Sequence, residues 1–131
     1  MSTPGSNQWY DGTIVRGEGR GRALGFPTAN IAFTKDISHI PPAIYAAWVQ
    51  LLPDQVQLPA AAHVGPRPTF PGTAPSFEVH IINFPSQDLY SRRISVQLIK
   101  EIRKIETFSS TAELTQAIMA DVAKALEILG S

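Results

Sequence analysis

Short stretches rich in β-branched and aromatic residues recur as far as residue 105, and clusters of proline and glycine separate them. Such stretches suit a pleated surface, whereas proline and glycine mark turns, so the pattern predicts strands. Six strands are predicted, over residues 9–16, 30–33, 44–52, 60–64, 77–84 and 93–105. The pattern favours an all-β barrel or sandwich for most of the chain.

The sixth predicted strand shows the clearest alternation of apolar and polar residues. Ile94, Val96 and Leu98 alternate with polar residues, and the alternation is interrupted near Ile99 and Lys100. One extra residue in a strand shifts its register, so we predict a β-bulge there that keeps the apolar residue at position 102 on the core face.

The period changes after residue 110, where apolar residues recur every three or four positions: Leu114, Ile118, Val122, Leu126 and Leu129. This spacing predicts one amphipathic helix. Ser110 and Glu113 are spaced as a capping box, and Gly130 is a suitable helix stop. We expect the helix to act mainly as a structural lid over the open end of the barrel, with Asp121 on its solvated flank.

Composition narrows the class of protein. A length of 131 residues fits one domain, which we place at 9–131, with residues 1–8 as a disordered N-terminus. Eleven basic residues balance eleven acidic ones, so no general field attracts nucleic acid or an anionic membrane. The chain has no cysteine and no apolar run near the ~20 residues that span a bilayer. The absence of cysteine fits a cytoplasmic protein, which we expect here. If the strands close into a barrel, no strand edge is free to pair with another chain, and we expect a monomer.

The segment from Gly21 to Asn30 is the strongest candidate for a binding site. Its glycines allow backbone N–H groups to approach phosphate oxygens, and its arginines add positive charge. Pro27 fixes φ, and Thr28 and Asn30 share one face of an extended segment, so their oxygens can hold one Mg²⁺. The alternative is an arginine- and glycine-rich segment that touches nucleic acid or has no ligand at all.

Three further positions carry candidate chemistry. Glu78 lies in a strand whose alternate residues are apolar, and it can act as a general base toward a substrate hydroxyl, although a surface glutamate is the alternative. Arg103 and Phe108 offer a cation and a ring that can clamp a flat heteroaromatic ligand, or simply stabilise the turn between strand and helix. The histidines at 39, 63 and 80 lack the spacing of a metal cluster and are interpreted as structural or exposed.

Several motifs follow one another along the chain. They are Gly12 with 15–22 and 24–31, which includes Pro-Thr-Ala-Asn at 27–30; Pro42 with Ile-Tyr-Ala at 44–46; Gly-Pro-Arg-Pro-Thr-Phe at 65–70; Glu-Val-His at 78–80 with Asp-Leu-Tyr at 88–90; and Ile-Arg at 102–103 with Phe108 and the terminal helix. With these motifs in this order, the chain resembles the riboflavin kinases along nearly its whole length. That family includes stand-alone flavokinases and the C-terminal kinase module of bacterial bifunctional riboflavin kinase/FAD synthetases.

The resemblance implies a mainly β fold, a six-stranded Greek-key closed β-barrel with a C-terminal amphipathic helix packed on it. It implies a phosphotransferase with an alcohol acceptor, which transfers the γ-phosphate of ATP to the ribityl 5′-hydroxyl of riboflavin and yields FMN and ADP. Glu78 would be the catalytic base, and Thr28 and Asn30 would hold the metal, Mg²⁺ or alternatively Zn²⁺ or Mn²⁺. Nucleotide binding would fall to Gly17, Arg20, Arg22, Gly25, Pro27, Ile81 and Asn83. Flavin binding would fall to Arg103 and Phe108.

The chain also departs from the pattern of the riboflavin kinases. Ala43 and Ser91 stand where that pattern has glycine, Ile105 stands where it has glutamate, and the segment 63–65 lacks its asparagine. These departures motivate a second hypothesis, a non-catalytic flavin- or nucleotide-binding module derived from the same barrel. A single-stranded nucleic-acid binder is a third hypothesis, which the neutral net charge disfavours.

Overall fold

The computed structural model describes residues 8–16, 26–65, 76–85 and 88–130. These residues form six strands and one helix: β1 Tyr10–Val15, β2 Ala29–Phe33, β3 Ala43–Leu51, β4 Leu58–Val64, β5 Phe77–Ile81, β6 Arg93–Arg103 and α1 Thr111–Ile128. All six predicted strands are confirmed. The largest change is in β5, which ends at Ile81 rather than residue 84 because Asn83 adopts a left-handed conformation with φ of 56°. Residues 1–7 of the N-terminus expected to be disordered lie outside the described residues.

The six strands close into an antiparallel barrel in the order β1-β2-β5-β4-β3-β6. Strands β3, β4 and β5 are sequential neighbours, and β6 returns to pair with β3, which is the Greek-key arrangement. Closure leaves each strand of the barrel hydrogen-bonded on both sides. The closed six-stranded barrel with one helix packed on it is therefore confirmed.

Alternate residues of each strand fill the barrel. Phe77, Val79, Val96 and Leu98 are buried in one cluster that also contains Tyr45. The Tyr45 hydroxyl donates to the carbonyl oxygen of Pro41 at 2.7 Å, so its polar end is satisfied inside the core. Burial, and secondarily the charge of Glu101, raises the pKa of Tyr45 to about 12. The interior of the barrel is thus filled by side chains, so a ligand has to bind on the outer face.

Strand β6 carries two β-bulges in its ladder with β3. The pairing passes from Ala47 opposite Leu98 to Ala46 opposite Lys100, which leaves Ile99 as the extra residue and confirms the predicted bulge. A second irregularity leaves Ile102 extra, and its side chain packs under α1 rather than in the barrel core. In an unbroken ladder Glu101 would lie opposite Ile44. The two bulges place Arg103 there instead.

Helix α1 begins at the predicted cap. The Ser110 hydroxyl accepts from the Glu113 N–H at 3.1 Å, whereas the Glu113 carboxylate accepts from the N–H and hydroxyl of Ser109, one residue earlier than in a standard capping box. Gly130 follows the helix with φ of 78°, as expected for a stop. Within the part of the chain that is described, no helix combines the length and hydrophobicity needed to cross a membrane.

The helix lies on the outer side of the barrel wall. Ala46 of β3, whose neighbours in sequence point into the barrel, is buried with Ala125 of α1 and Ile82, while Val122 and Leu126 pack around them. Small residues at the contact allow the helix to approach the sheet closely. The helix therefore covers the outer face of β3 and its neighbours, which differs from the expected lid over an open end.

Only one of the two positions where glycine is replaced carries backbone strain. Ser91 has φ of 70°, a left-handed conformation that costs a residue with a Cβ about 1–2 kcal/mol. Its N–H donates to the carbonyl oxygen of Ile14 at 2.8 Å, which holds the turn against β1. Ala43 is an ordinary buried residue of β3, paired with Val64. The departure at position 43 therefore costs the fold nothing in backbone conformation.

Candidate active site

One row of directly opposed residues crosses five strands on the outer face of the barrel. Asn30 on β2 lies opposite Glu78 on β5, Glu78 opposite His63 on β4, His63 opposite Ile44 on β3, and Ile44 opposite Arg103 on β6. Directly opposed residues of antiparallel strands share a face, with Cβ atoms about 4.5–5.5 Å apart. The barrel thus brings three predicted site residues, Asn30, Glu78 and Arg103, onto one surface.

The segment before β2 is attached to the same surface through β5. The Thr28 hydroxyl donates to Oε1 of Glu78 at 3.0 Å. Nδ1 of His80 lies 2.9 Å from the carbonyl oxygen of Pro27, and because a carbonyl can only accept, this ring nitrogen carries the proton. The ring of Phe26 packs edge-on against the His80 ring, with centroids 5.7 Å apart. A predicted metal ligand is therefore in direct contact with the predicted base.

A cavity of about 580 Å³ lies between this face of the barrel and the chain from Arg103 into α1. Its lining includes Thr28, Glu78, Arg103 and Phe108, four of the predicted site residues, together with His63 and Ile105. The volume lies within the roughly 300–1,000 Å³ of sites for organic molecules. The cavity thus has the size for a flat heteroaromatic ligand and a carboxylate on its wall.

The described residues that are predicted to bind the nucleotide are not among those that line this cavity. The side chain of Ile81 is part of the barrel core and is not available to a ligand, and Asn83 lies in the turn after β5. The carbonyl oxygen of Pro27 accepts a hydrogen bond from Nδ1 of His80. The remaining four predicted residues, Gly17, Arg20, Arg22 and Gly25, lie outside the described residues.

Arg103 and Asp121 form a bidentate ion pair between β6 and α1. Nε and Nη2 of Arg103 donate to the two carboxylate oxygens of Asp121, each at 2.8 Å, and Nη1 donates to the carbonyl oxygen of Lys104 at 3.1 Å. The guanidinium carbon lies 5.5 Å from the centre of the Phe108 ring. These contacts fix the segment after β6 that forms one side of the cavity.

The interpretation of Asp121 as a solvated residue is wrong. Its relative exposure is 6%, because the helix face that carries Asp121 packs against Arg103 at the end of β6. The sequence held a signal for this, since positions 114, 118, 121 and 125 recur at helical spacing and Ala125 is also buried. A carboxylate on that stripe indicates a buried partner of opposite charge.

His63 is a second residue whose position the sequence did not reveal. It lines the cavity beside Glu78, and its Nδ1 is buried with no hydrogen-bond partner among the described residues. A buried polar atom without a partner costs about 1–3 kcal/mol. Such an atom is unusual in a folded protein and calls for an explanation.

The donor atoms near Glu78 fit a hard divalent cation. Among the described residues no group of three or more His, Cys, Asp or Glu side chains is placed to hold a metal ion. The Thr28 hydroxyl donates a hydrogen bond to Glu78 and keeps its lone pairs for a cation, and Asn30 adds an amide oxygen on the same face. Magnesium commonly has few protein ligands and completes its shell with water and phosphate oxygens, so these residues suit it.

Comparison with known proteins gives one consistent family. Residues 5–129 match the flavokinase family model, described as riboflavin kinase. The bifunctional riboflavin kinase/FMN adenylyltransferase of Escherichia coli K12 is 39% identical over 119 residues, which cover 91% of this chain and 37% of that protein. The chain thus spans little more than a third of the length of this relative.

Two solved structures extend the comparison to the fold. The riboflavin kinase of Trypanosoma brucei aligns with a TM-score of 0.68 and 25% identity, over 98% of this chain and 82% of that one. A Streptococcus pneumoniae protein named as a macrolide-efflux protein aligns with a TM-score of 0.77 and 32% identity, over 86% of this chain and 36% of that one. The family match, together with the barrel and the residues gathered at its cavity, shows that the chain belongs to the flavokinase family, the riboflavin kinases.

Proposed function

We propose that this chain phosphorylates riboflavin, transferring the γ-phosphoryl group of ATP to the ribityl 5′-hydroxyl and forming FMN and ADP. The observation that carries the proposal is the position of Glu78. This carboxylate lies on the wall of a cavity of about 580 Å³ and is in contact with Thr28, on the segment expected to bind the metal and nucleotide. The riboflavin hydroxyl and the γ-phosphoryl group of ATP would therefore both lie next to this carboxylate.

Glu78 acts in this proposal as the general base. The reacting hydroxyl donates a hydrogen bond to the carboxylate, which takes the proton as the hydroxyl oxygen attacks the γ-phosphorus and the bond to the ADP oxygen breaks. The hydrogen bond from Thr28 to Oε1 holds the carboxylate in one orientation. Phosphoryl transfer depends chiefly on positioning and charge stabilisation, so an oriented base at the junction of the two sites meets a main requirement of the reaction.

Thr28 and Asn30 are the proposed ligands of Mg²⁺, with the nucleotide phosphates completing the shell. When bound, the cation neutralises negative charge on the phosphate oxygens. The turn around Asn83 and the glycine- and arginine-rich segment with Gly17, Arg20, Arg22 and Gly25 complete the proposed nucleotide site. Because Thr28 also contacts Glu78, the same side chain would link the metal to the base.

The cavity is the proposed flavin site, with Phe108 as its aromatic wall. Three nitrogens of Arg103 already donate hydrogen bonds within the chain, so we assign it contact with the flavin through its planar face and a role in holding the segment after β6. Closure leaves no free strand edge in the described barrel. We therefore propose that a monomer carries the activity.

The direct test is an assay with purified protein, ATP, Mg²⁺ and riboflavin, in which FMN and ADP are separated by chromatography. We expect equal amounts of the two products, none without ATP, and none when EDTA removes the metal. Folded protein that binds riboflavin by fluorescence quenching but forms no FMN would support the non-catalytic binding module instead.

Replacing Asn30 with alanine should raise the Mg²⁺ concentration needed for half-maximal activity by about 10-fold or more, because an oxygen ligand is lost. Riboflavin affinity should change little, since the side chain of Asn30 is not part of the cavity lining. Thr34→Ala is the matched control, because Thr34 follows β2 and its hydroxyl donates to the carbonyl oxygen of Asp11, away from the cavity. An unchanged Mg²⁺ requirement in Asn30→Ala would remove Asn30 from the metal site.

A further inference from the structure

His63 occupies a central place in the row of residues that forms the site. It lies between Glu78 and Ile44 on the outer face, and its side chain contributes to the cavity wall. Its Nδ1 is buried and has no hydrogen-bond partner in the part of the chain that is described. In a functional cavity, an unsatisfied nitrogen of this kind is a candidate for contact with a ligand.

The position of Glu78 determines which part of an acceptor reaches His63. A reacting hydroxyl has to come within about 3 Å of the Glu78 carboxylate. The Cβ of His63 lies about 4.5–5.5 Å from that of Glu78, as for any directly opposed pair. Phe108 packs near Arg103, at the other end of the row from Glu78. If the flat ring system lies toward Phe108, the hydroxyl-bearing chain between the ring and the reacting end would cross the position of His63.

We propose that His63 is a specificity-determining residue that recognises the polyhydroxylated chain of the acceptor. Rotation about χ2 brings the unpartnered Nδ1 away from its buried edge, and this nitrogen exchanges a hydrogen bond with a chain hydroxyl next to the reacting one. A neutral imidazole has one donor and one acceptor, which matches a hydroxyl group. This inference rests on the proposed function, because Glu78 marks the reacting hydroxyl.

The test compares binding of riboflavin with binding of lumiflavin, which has the same ring system without the hydroxyl chain, by fluorescence quenching. His63→Leu should weaken riboflavin binding about 10-fold and leave lumiflavin binding and the KM for ATP unchanged. His63→Asn should stay within about threefold of the unmodified protein, because its amide lies as many bonds from Cβ as Nδ1 does. His63→Gln places the amide one bond farther and should lose affinity.

The control is His39→Asn. His39 contacts the Tyr10 hydroxyl at 3.4 Å and is not among the cavity-lining residues, so both flavins should bind this variant normally. The proposal is overturned if His63→Leu binds riboflavin as the unmodified protein does, or loses both flavins equally. If His63→Leu does not fold, equal riboflavin affinities of the Asn and Gln variants overturn it.

These binding measurements do not depend on turnover. If discrimination between the two flavins depends on His63 but no FMN forms, the proposed activity fails and the role of His63 in binding remains. If FMN forms and every His63 variant has the same riboflavin affinity, the role of His63 fails and the activity remains.

Discussion

Glu78→Gln is expected to lower kcat by about 10²–10⁴-fold, the usual contribution of general acid–base catalysis. Glutamine keeps the shape of the side chain and an oxygen that can accept from Thr28 at the observed 3.0 Å, but it cannot take up the hydroxyl proton. Calorimetry should show that the dissociation constants for riboflavin and for the ATP analogue AMP-PNP change by less than about threefold. The loss would then lie in the chemical step, which is the signature of a base rather than a binding residue.

The cavity offers a matched control for this substitution. Glu106 also lines the cavity but is exposed on the segment after β6, so Glu106→Gln removes a carboxylate from the same space without touching Thr28. We expect its kcat to stay within about threefold of the unmodified protein. A Glu78→Gln enzyme that retains more than about a tenth of the activity would show that another group accepts the proton.

Asp121→Asn is expected to lower the free energy of unfolding by about 2–4 kcal/mol. The carboxylate is almost fully buried and receives two 2.8 Å hydrogen bonds from Arg103, whose side chain is 24% exposed. The neutral asparagine amide cannot balance the positive charge of the Arg103 guanidinium, which is only partly hydrated. Urea unfolding followed by circular dichroism measures the change, and the KM for riboflavin should rise as the segment carrying Phe108 loses its anchor.

Glu127→Gln provides the comparison for Asp121→Asn. Glu127 forms an exposed pair with Lys124 at 3.6 Å on the same helix, and exposed pairs contribute about 0–1 kcal/mol. An Asp121→Asn protein as stable as Glu127→Gln would mean that the Arg103 pair adds no net stability. In that case the segment after β6 would have to be held by its apolar contacts alone.

The elements of the fold were predictable because each depends on local pattern. Alternation in Ile94, Val96 and Leu98 identifies β6, and helical spacing with Ser110 as cap identifies α1. The end of β5 was misplaced because the left-handed conformation of Asn83 interrupts an apolar run that otherwise resembles strand. Barrel closure came from the family resemblance, since the residue pattern alone also allowed a sandwich.

The site was only partly predictable, because it is assembled by strand register. The spacing of Thr28 and Asn30 and the lone carboxylate at Glu78 were visible in the sequence. The pattern of residues within a strand does not show that Glu78 lies opposite His63, since the register between two strands depends on the loop that joins them and on the whole sheet. The Asp121 pairing was missed for a similar reason, because the two bulges that put Arg103 opposite Ile44 determine which face of the helix it meets.

The row of opposed residues across five strands makes the site depend on the folding of the whole barrel. Four ladders join the five strands, and a slip of one residue in any of them would turn a site residue from the outer face to the inner face. The gathered residues come from distant parts of the chain and share no local segment that could fold by itself. We therefore expect the site to form only when these four ladders are in register, and to be lost when the barrel unfolds.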